Sequence, residues 1–382
     1  MAEPANAFEF LEELRKRNSK RIQKYDDLTR YISVRAREKG IPVFGQFELT
    51  PLCNLSCRMC YVHLNADQMK GASVLPVETW KDLMQQAWEA GMCMANLTGG
   101  ECLAYPGFEE LFLFLQNLGC QVSVLTNGVL LNEDRIRFFQ ENKPYRIQVS
   151  LYGQNDDVYE RVTGRRVFAT VFENVRKAID AGLHIDFAVT PSTFLGEDVL
   201  DTMRLINGLG KQASVNNTLF TPREETGRSA EKNDSDNELY LRIYRLIDEF
   251  GGKEAKEIDE DKLPPYGCNI HECEECGLRC GGGRSNFVID WKGTLLPCNR
   301  MDMIKAYPLQ DGFKTAWAKL NQQANAWPQV PECIECVYRK VCNNCAANML
   351  KYAEPGKQPI GLCEQTRFFV KHGVSHIPEC EE

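Results

Sequence analysis

No stretch of the chain approaches the apolar length needed to cross a bilayer, and the N-terminus has no apolar core of the kind that opens a signal peptide. These absences argue against membrane and export roles, and the expectation is a cytoplasmic protein. Positive charge is also in deficit, with 45 Lys and Arg against 53 Asp and Glu and a net charge of −8. Coating nucleic acid requires a broad cationic surface, so nucleic acid is not expected as a partner, and neither is a membrane. The rest of the composition, 43% hydrophobic and 26% charged, is that of an ordinary soluble protein of two or three domains.

Cysteine is what the sequence has in excess. Seventeen occur, and eleven of them lie from Cys268 onward. Thiols in a reducing compartment do not build extensive disulfide frameworks, so metal or cluster ligation becomes the default reading. The asymmetry predicts a core domain with one site and a C-terminal domain rich in them.

Three of the remaining six form Cys53-x3-Cys57-x2-Cys60, directly after the apolar run Phe44 to Leu49. A closed zinc site wants four ligands, whereas three thiols on a [4Fe–4S] cube leave one iron open for something else. From these residues alone, a zinc loop borrowing a distant fourth ligand stays open beside the cluster.

From residue 43 to 252, short β runs alternate with helical patterns, which predicts βαβ units and a parallel sheet. Strands are expected at 44–50, 94–98, 121–126, 146–151, 184–190 and 213–220. Helices are expected near 77–90, 108–118, 132–141, 168–181, 198–207 and 237–250. Six units make a partial (β/α)6 barrel, with ligands held at the carboxyl ends of the strands. Residues 1–42 read as charged helices outside the core, 253–267 as a linker and 268–382 as a cysteine-rich domain. In that last segment Phe287–Asp290 and Gly293–Leu296 read as a hairpin that carries Cys280 and Cys298 back toward each other. Cys93 and Cys120 are expected as small buried residues, and Cys102 as packing.

The Cys53, Cys57, Cys60 spacing resembles that of the radical S-adenosylmethionine (SAM) enzymes. Leu97-Thr98-Gly99-Gly100-Glu101 adds to the resemblance, because a GGE at this strand end holds the amino group of SAM in that family. By the same resemblance Thr126, Asn127, Ser150, Arg161 and Thr190 contact the cofactor. Many members have an aromatic residue before the third cysteine; here Met59 stands there and Tyr61 follows, so both are candidates to pack near adenine.

Cys280-x12-Gly293-x4-Cys298 and Cys333-x2-Cys336-x5-Cys342-x2-Cys345, followed by Cys363, resemble the SPASM extension of such enzymes, with one short gap differing by a residue. The resemblance implies that Cys333, Cys336, Cys342 and Cys363 hold a distal auxiliary [4Fe–4S] cluster. Cys280, Cys298 and Cys345 would hold a proximal one, with a fourth ligand from Cys273, Cys276 or Cys268. Zinc ribbons are the alternative for these pairs.

The activity so implied is oxidative modification of a ribosomal peptide through a 5′-deoxyadenosyl radical, for example as a thioether crosslink. An electron donor such as flavodoxin or ferredoxin is expected. A separate protein would read any leader peptide, because 1–42 is short for a complete recognition domain. Formylglycine formation in a sulfatase is a rival, weakened because Asn299 stands where such members place an aspartate base, although Asp302 is nearby. A small-molecule dehydrogenase or epimerase is a further alternative. The non-enzyme alternative is a zinc- or cluster-binding interaction module.

Overall fold

The computed structural model describes residues 25–216, 219, 223, 226, 236–251, 277–339, 341, 342 and 345–373, with only the backbone at 25–31. The expected linker at 253–267, together with Cys268, Cys273 and Cys276, lies outside the described residues.

Six strands run in parallel: β1 Phe44–Glu48, β2 Met94–Thr98, β3 Gln121–Thr126, β4 Arg146–Ser150, β5 Ile185–Val189 and β6 Ala213–Val215. They lie in the order β6-β5-β4-β3-β2-β1, each joined to the next by helical crossovers that cover the outer face. Among these are α2 Val77–Glu89, α3 Phe108–Asn117, α4 Glu133–Glu141, α6 Phe168–Asp180 and α7 Asp198–Gly208. A further helix, α1 Tyr25–Lys39, precedes the sheet, and α8 Asn237–Phe250 follows it. No helix among the described residues is long and apolar enough to cross a membrane. The last parallel strand is shorter than the expected 213–220, and residues 217, 218 and 220 fall outside the described residues.

Two features go beyond the sequence reading. The first is α5, Asp156–Thr163, an eight-residue helix capped by the Asn155 side chain on Val158 N and closed by Gly164 at φ 73°. The second is the place of the hairpin β7 Asn286–Ile289 and β8 Leu295–Leu296. β7 pairs in parallel with β1, in the register Phe44 to Asn286, and β8 runs antiparallel to β7. The sheet therefore has eight strands, and its edge comes from the cysteine-rich segment.

The core is continuous across this junction. Phe287 packs edge-on against Phe47 at 6.0 Å, and against Phe313 at 5.0 Å and Trp317 at 6.0 Å, both on α10 Phe313–Asn325, which follows the short α9 Pro308–Asp311. Gly45 in β1 makes room for this: a Cβ there would sit 2.6 Å from the Phe287 ring. A smaller apolar cluster, Leu278, Met301, Ile304 and Ala324, lies beyond it.

Candidate active site

The strand ends converge on one cavity of roughly 280 Å³. Gln46 from β1, Thr98 from β2, Leu125 from β3, Gln148 and Ser150 from β4 and Ala188 from β5 all face it. Side chains two apart on a strand share a face, so the sheet wraps around the cavity. Cys53, Cys57 and Cys60 form part of its wall.

The loop that carries these thiols is fixed by its backbone. Ser56 N and Arg58 N donate to Thr163 O and Val162 O, so the loop takes up carbonyls left free at the end of α5. Arg58 lies over the Phe194 ring at 4.4 Å. The sulfurs accept backbone hydrogen bonds, Leu55 N to Cys53 Sγ at 3.4 Å and His63 N to Cys60 Sγ at 3.3 Å. Burial pushes the Cys53 thiol up to about 12, with Glu101 and Cys60 adding to the shift. All three thiols lie near enough to the half-buried Tyr152 phenol to act on it, and its pKa is driven well above its ordinary value chiefly by burial. No three His, Cys, Asp or Glu side chains among the described residues close around a single metal ion. Three thiols on a [4Fe–4S] cluster leave one iron without a protein ligand.

Gly99 and Gly100 follow β2 where the chain meets the segment that leads into Cys53. Gly100 N donates to Thr50 O and Glu101 N to Leu52 O. A Cβ on Gly99 would lie 2.4 Å from Thr50 O, and one on Gly100 2.3 Å from Leu52 O. The glycine pair is thus required for the thiol loop to reach its place. Both glycines line the cavity.

Glu101, the third residue of the GGE, is set back from the cavity. Its side chain is 1% exposed and absent from the cavity wall. The carboxylate accepts from Leu103 N, from Thr126 Oγ1 at 2.8 Å and from Asn127 N at 2.8 Å. It organises the end of β3 instead of facing the cavity. Asn127 in turn donates from Nδ2 to Asn54 Oδ1 at 2.7 Å and to Cys53 Sγ at 3.4 Å, tying β3 to the thiol loop.

Thr126, Asn127, Ser150, Thr190, Met59 and Tyr61 line the cavity as well. Arg161 does not: its guanidinium is held by the Phe194 carbonyl and by Asp198 on α7. The sequence reading missed Gln46, Gln148, Tyr152 and Asn216. Their signal was the strand alternation itself, which sets Gln148, Ser150 and Tyr152 on one side.

Behind Tyr61 lies a buried ion pair. Glu48, fully buried in β1, takes Arg223 Nη1 at 2.7 Å and Nη2 at 3.0 Å, and Tyr61 Oη donates to it at 3.1 Å. Burial raises the Glu48 pKa, and Arg223 and Tyr61 act against that rise. Asn299 Nδ2 donates to Tyr61 Oη at 3.2 Å, so the residue after Cys298 meets the residue after Cys60. Asp302 is exposed and outside the cavity wall.

The C-terminal thiols fall into two groups. Burial lifts Cys298 to about 12, and Cys280 and Cys345 stand close enough to add to the shift. Cys333 is lifted to about 11, by burial and then by Cys363, Cys342 and Cys336. Those four line one small hollow. Of the remaining thiols, Cys102 is buried with its sulfur 3.2 Å from Leu125 O, and Cys120 is buried. Cys93, one residue before β2, is exposed, against the expectation.

The Radical SAM superfamily profile matches residues 47–206, the span from β1 through α7. Residues 47–206 thus form a radical SAM domain. The chain is 24% identical over 273 residues to the antilisterial bacteriocin subtilosin biosynthesis protein AlbA of Bacillus subtilis, matching 69% of this chain and 56% of AlbA. The chain thus spans little more than half of that relative's length. It is 24% identical over 334 residues to an AdoMet-dependent heme synthase of Methanosarcina barkeri, with 81% of this chain and 92% of that protein aligned. The fold is shared with Streptococcus suis SuiB bound to S-adenosylmethionine, at a TM-score of 0.62 and 16% identity over 93% of this chain and 87% of that one.

Proposed function

We propose that the chain is a radical SAM enzyme that oxidises a ribosomally made peptide by removing hydrogen from an unactivated C–H bond, forming a crosslink such as a thioether. The observation that carries the reading is the gathering of the C-terminal thiols into two groups, one of them adjoining, through Asn299, a cavity that already holds three thiols. Cys53, Cys57 and Cys60 would hold the SAM-binding [4Fe–4S] cluster. Cys280, Cys298 and Cys345, with Cys273, Cys276 or Cys268, would hold a proximal auxiliary cluster, and Cys333, Cys336, Cys342 and Cys363 a distal one. Residues 268–382 then form a SPASM domain. The chemistry that cluster and SAM supply when bound is reductive cleavage of SAM, giving a carbon radical able to take hydrogen from substrate. The protein's part is placement. Gly99 and Gly100 expose backbone to the cofactor, while Thr126, Asn127, Ser150 and Thr190 offer polar contacts along the strand ends.

The peptide assignment draws on AlbA, a bacteriocin biosynthesis protein, and on SuiB, which has also been solved with its precursor peptide SuiA. Formylglycine formation is disfavoured because Asn299 has no acid–base capacity and already donates to Tyr61. Oxidation of a small molecule is the second reading, favoured by the 92% of the heme synthase that aligns.

Anaerobically purified protein should contain iron and sulfide for three clusters and release 5′-deoxyadenosine from SAM under strong reductant. Zinc in place of iron would defeat the reading. The variant with Cys53, Cys57 and Cys60 all changed to Ala should lose cleavage yet keep the iron of the auxiliary sites. A short Cys-rich peptide encoded beside this protein, incubated with enzyme and SAM, should lose the mass of two hydrogens; a tetrapyrrole changed in its place would support the second reading.

A further inference from the structure

Arg339 is 7% exposed, a depth at which a guanidinium needs hydrogen bonds or compensating charge. Its place is fixed by the segment that carries two of the distal thiols: Arg339 N donates to Cys336 O at 3.0 Å, and Nη1 reaches back to Ile334 O at 2.8 Å. The residue stands between two concave surfaces. On one side is the hollow that it lines with Cys333, Cys336, Cys342 and Cys363. On the other is an apolar cleft that it lines with Trp327, Val330, Met349 and Leu350. A fixed positive charge is thus set among apolar side chains and beside four thiols.

Two further groups face the same hollow. Thr366 Oγ1 lies 3.3 Å from Cys342 Sγ and 2.9 Å from Leu362 O, with one proton to give to either. Arg367, exposed on the helix Ile360–Lys371, lies over the Tyr338 ring at 5.9 Å and acts against the rise that burial gives the Cys363 thiol. Glu332 acts on Cys333 in the opposite sense, but its side chain is exposed and screened by solvent.

A [4Fe–4S] cube held by four thiolates is negatively charged, and reduction adds one more negative charge. A cation buried beside it stabilises the reduced form more than the oxidised one, and low-dielectric surroundings strengthen the effect. Resting on the distal-cluster reading above, we infer that Arg339 raises the reduction potential of the cluster held by Cys333, Cys336, Cys342 and Cys363. Arg367 contributes in the same direction, more weakly because solvent screens it. The distal site is thereby suited to receive the electron that oxidation of the substrate leaves behind.

The full chain with Cys53, Cys57 and Cys60 changed to Ala, reconstituted with iron and sulfide, retains only the auxiliary sites. It is titrated anaerobically, with electron paramagnetic resonance reading each reduced cluster; the distal signal is the one that a further Cys363→Ala removes. At the midpoint potential of this parent, Arg339→Gln should cut the ratio of reduced to oxidised distal cluster at least about tenfold, a fall of about 59 mV for one electron. Arg339→Lys, which keeps the charge, should stay nearer the parent, and the proximal signal should not move. Should Arg339→Gln lose the distal iron, Arg367→Gln decides, with a smaller fall that salt abolishes. A distal midpoint unmoved or raised in the variant that keeps its iron overturns the inference. So does an equal shift of the proximal signal, or a fall as large in Arg339→Lys, which would make packing and not charge the cause. Iron absent from the four-thiol site of the parent, or zinc in its place, defeats the cluster reading and the inference with it.

Discussion

Glu101 accepts three hydrogen bonds at a buried position, and each donor would be stranded if the carboxylate were removed. An orphaned buried donor costs about 1–3 kcal/mol, so Glu101→Ala is expected to destabilise the fold by about 3 kcal/mol or more. The loss should appear in denaturant unfolding of the cluster-free protein with no SAM present. Were Glu101 chiefly a cofactor contact, stability without SAM would be unchanged and only SAM affinity would fall. Glu48 and Arg223 invite a second test. Arg223→Ala leaves a fully buried carboxylate without its counter-charge, at an expected cost of about 3–5 kcal/mol. Replacing both residues, as Glu48→Gln with Arg223→Met, should cost less than the single change. If the double variant is the weaker protein, the pair contributes net stability and the penalty is not one of a stranded charge.

At the scale of elements, the strands were readable because each is a short apolar run closed by a turn residue, and the observed bounds fall within two residues of the expected ones for β1 through β5. The thiol loop was readable because its spacing is local. The partner of β7 was not, since Asn286–Ile289 carries no mark of which strand it will join and pairing is settled only in the assembled core. The role of Glu101 was hidden for a similar reason: a carboxylate at a strand end reads as a ligand until the neighbouring strand supplies its donors. Gly99 shows how an element end shapes the site. Its φ of 141° opposes any side chain, and so does Thr50 O, which would stand only 2.4 Å from a Cβ. Gly99→Ala is expected to cost about 2–3 kcal/mol and to displace the thiol loop, lowering iron content after reconstitution. Gly119→Ala is the control: φ is also positive at 78°, but a Cβ there meets nothing within 4 Å. It should cost only about 1–2 kcal/mol and leave iron content unchanged. Equal iron loss in both variants would remove Gly99 from the argument.

Across the whole molecule, the cysteine-rich segment is built into the barrel. Trp317 Nε1 donates to Gly40 O at 2.7 Å, Arg37 reaches Arg279 O at 2.9 Å and Asn299 meets Tyr61, so contacts run from the start of the sheet to both sides of the thiol groups. Phe287, Phe313 and Leu320 are at most 1% exposed and belong to the same cluster as Phe47 and Trp80. Burying a phenylalanine or leucine contributes about 1.5–3 kcal/mol, and domains are stable by only about 5–15 kcal/mol. A chain ending at residue 251 keeps the six parallel strands and the three thiols of the cavity, yet it bares the edge of β1 and the Phe47 ring. Such an edge is a template for aggregation. The truncated protein is therefore expected to be insoluble, or to unfold without a cooperative transition, while a chain ending at residue 326 keeps β7, β8 and α10 and should fold. Far-ultraviolet circular dichroism through a thermal scan reads both. Cooperative unfolding of the shorter chain, at the temperature of the longer one, would show that the barrel stands without its eight-stranded sheet.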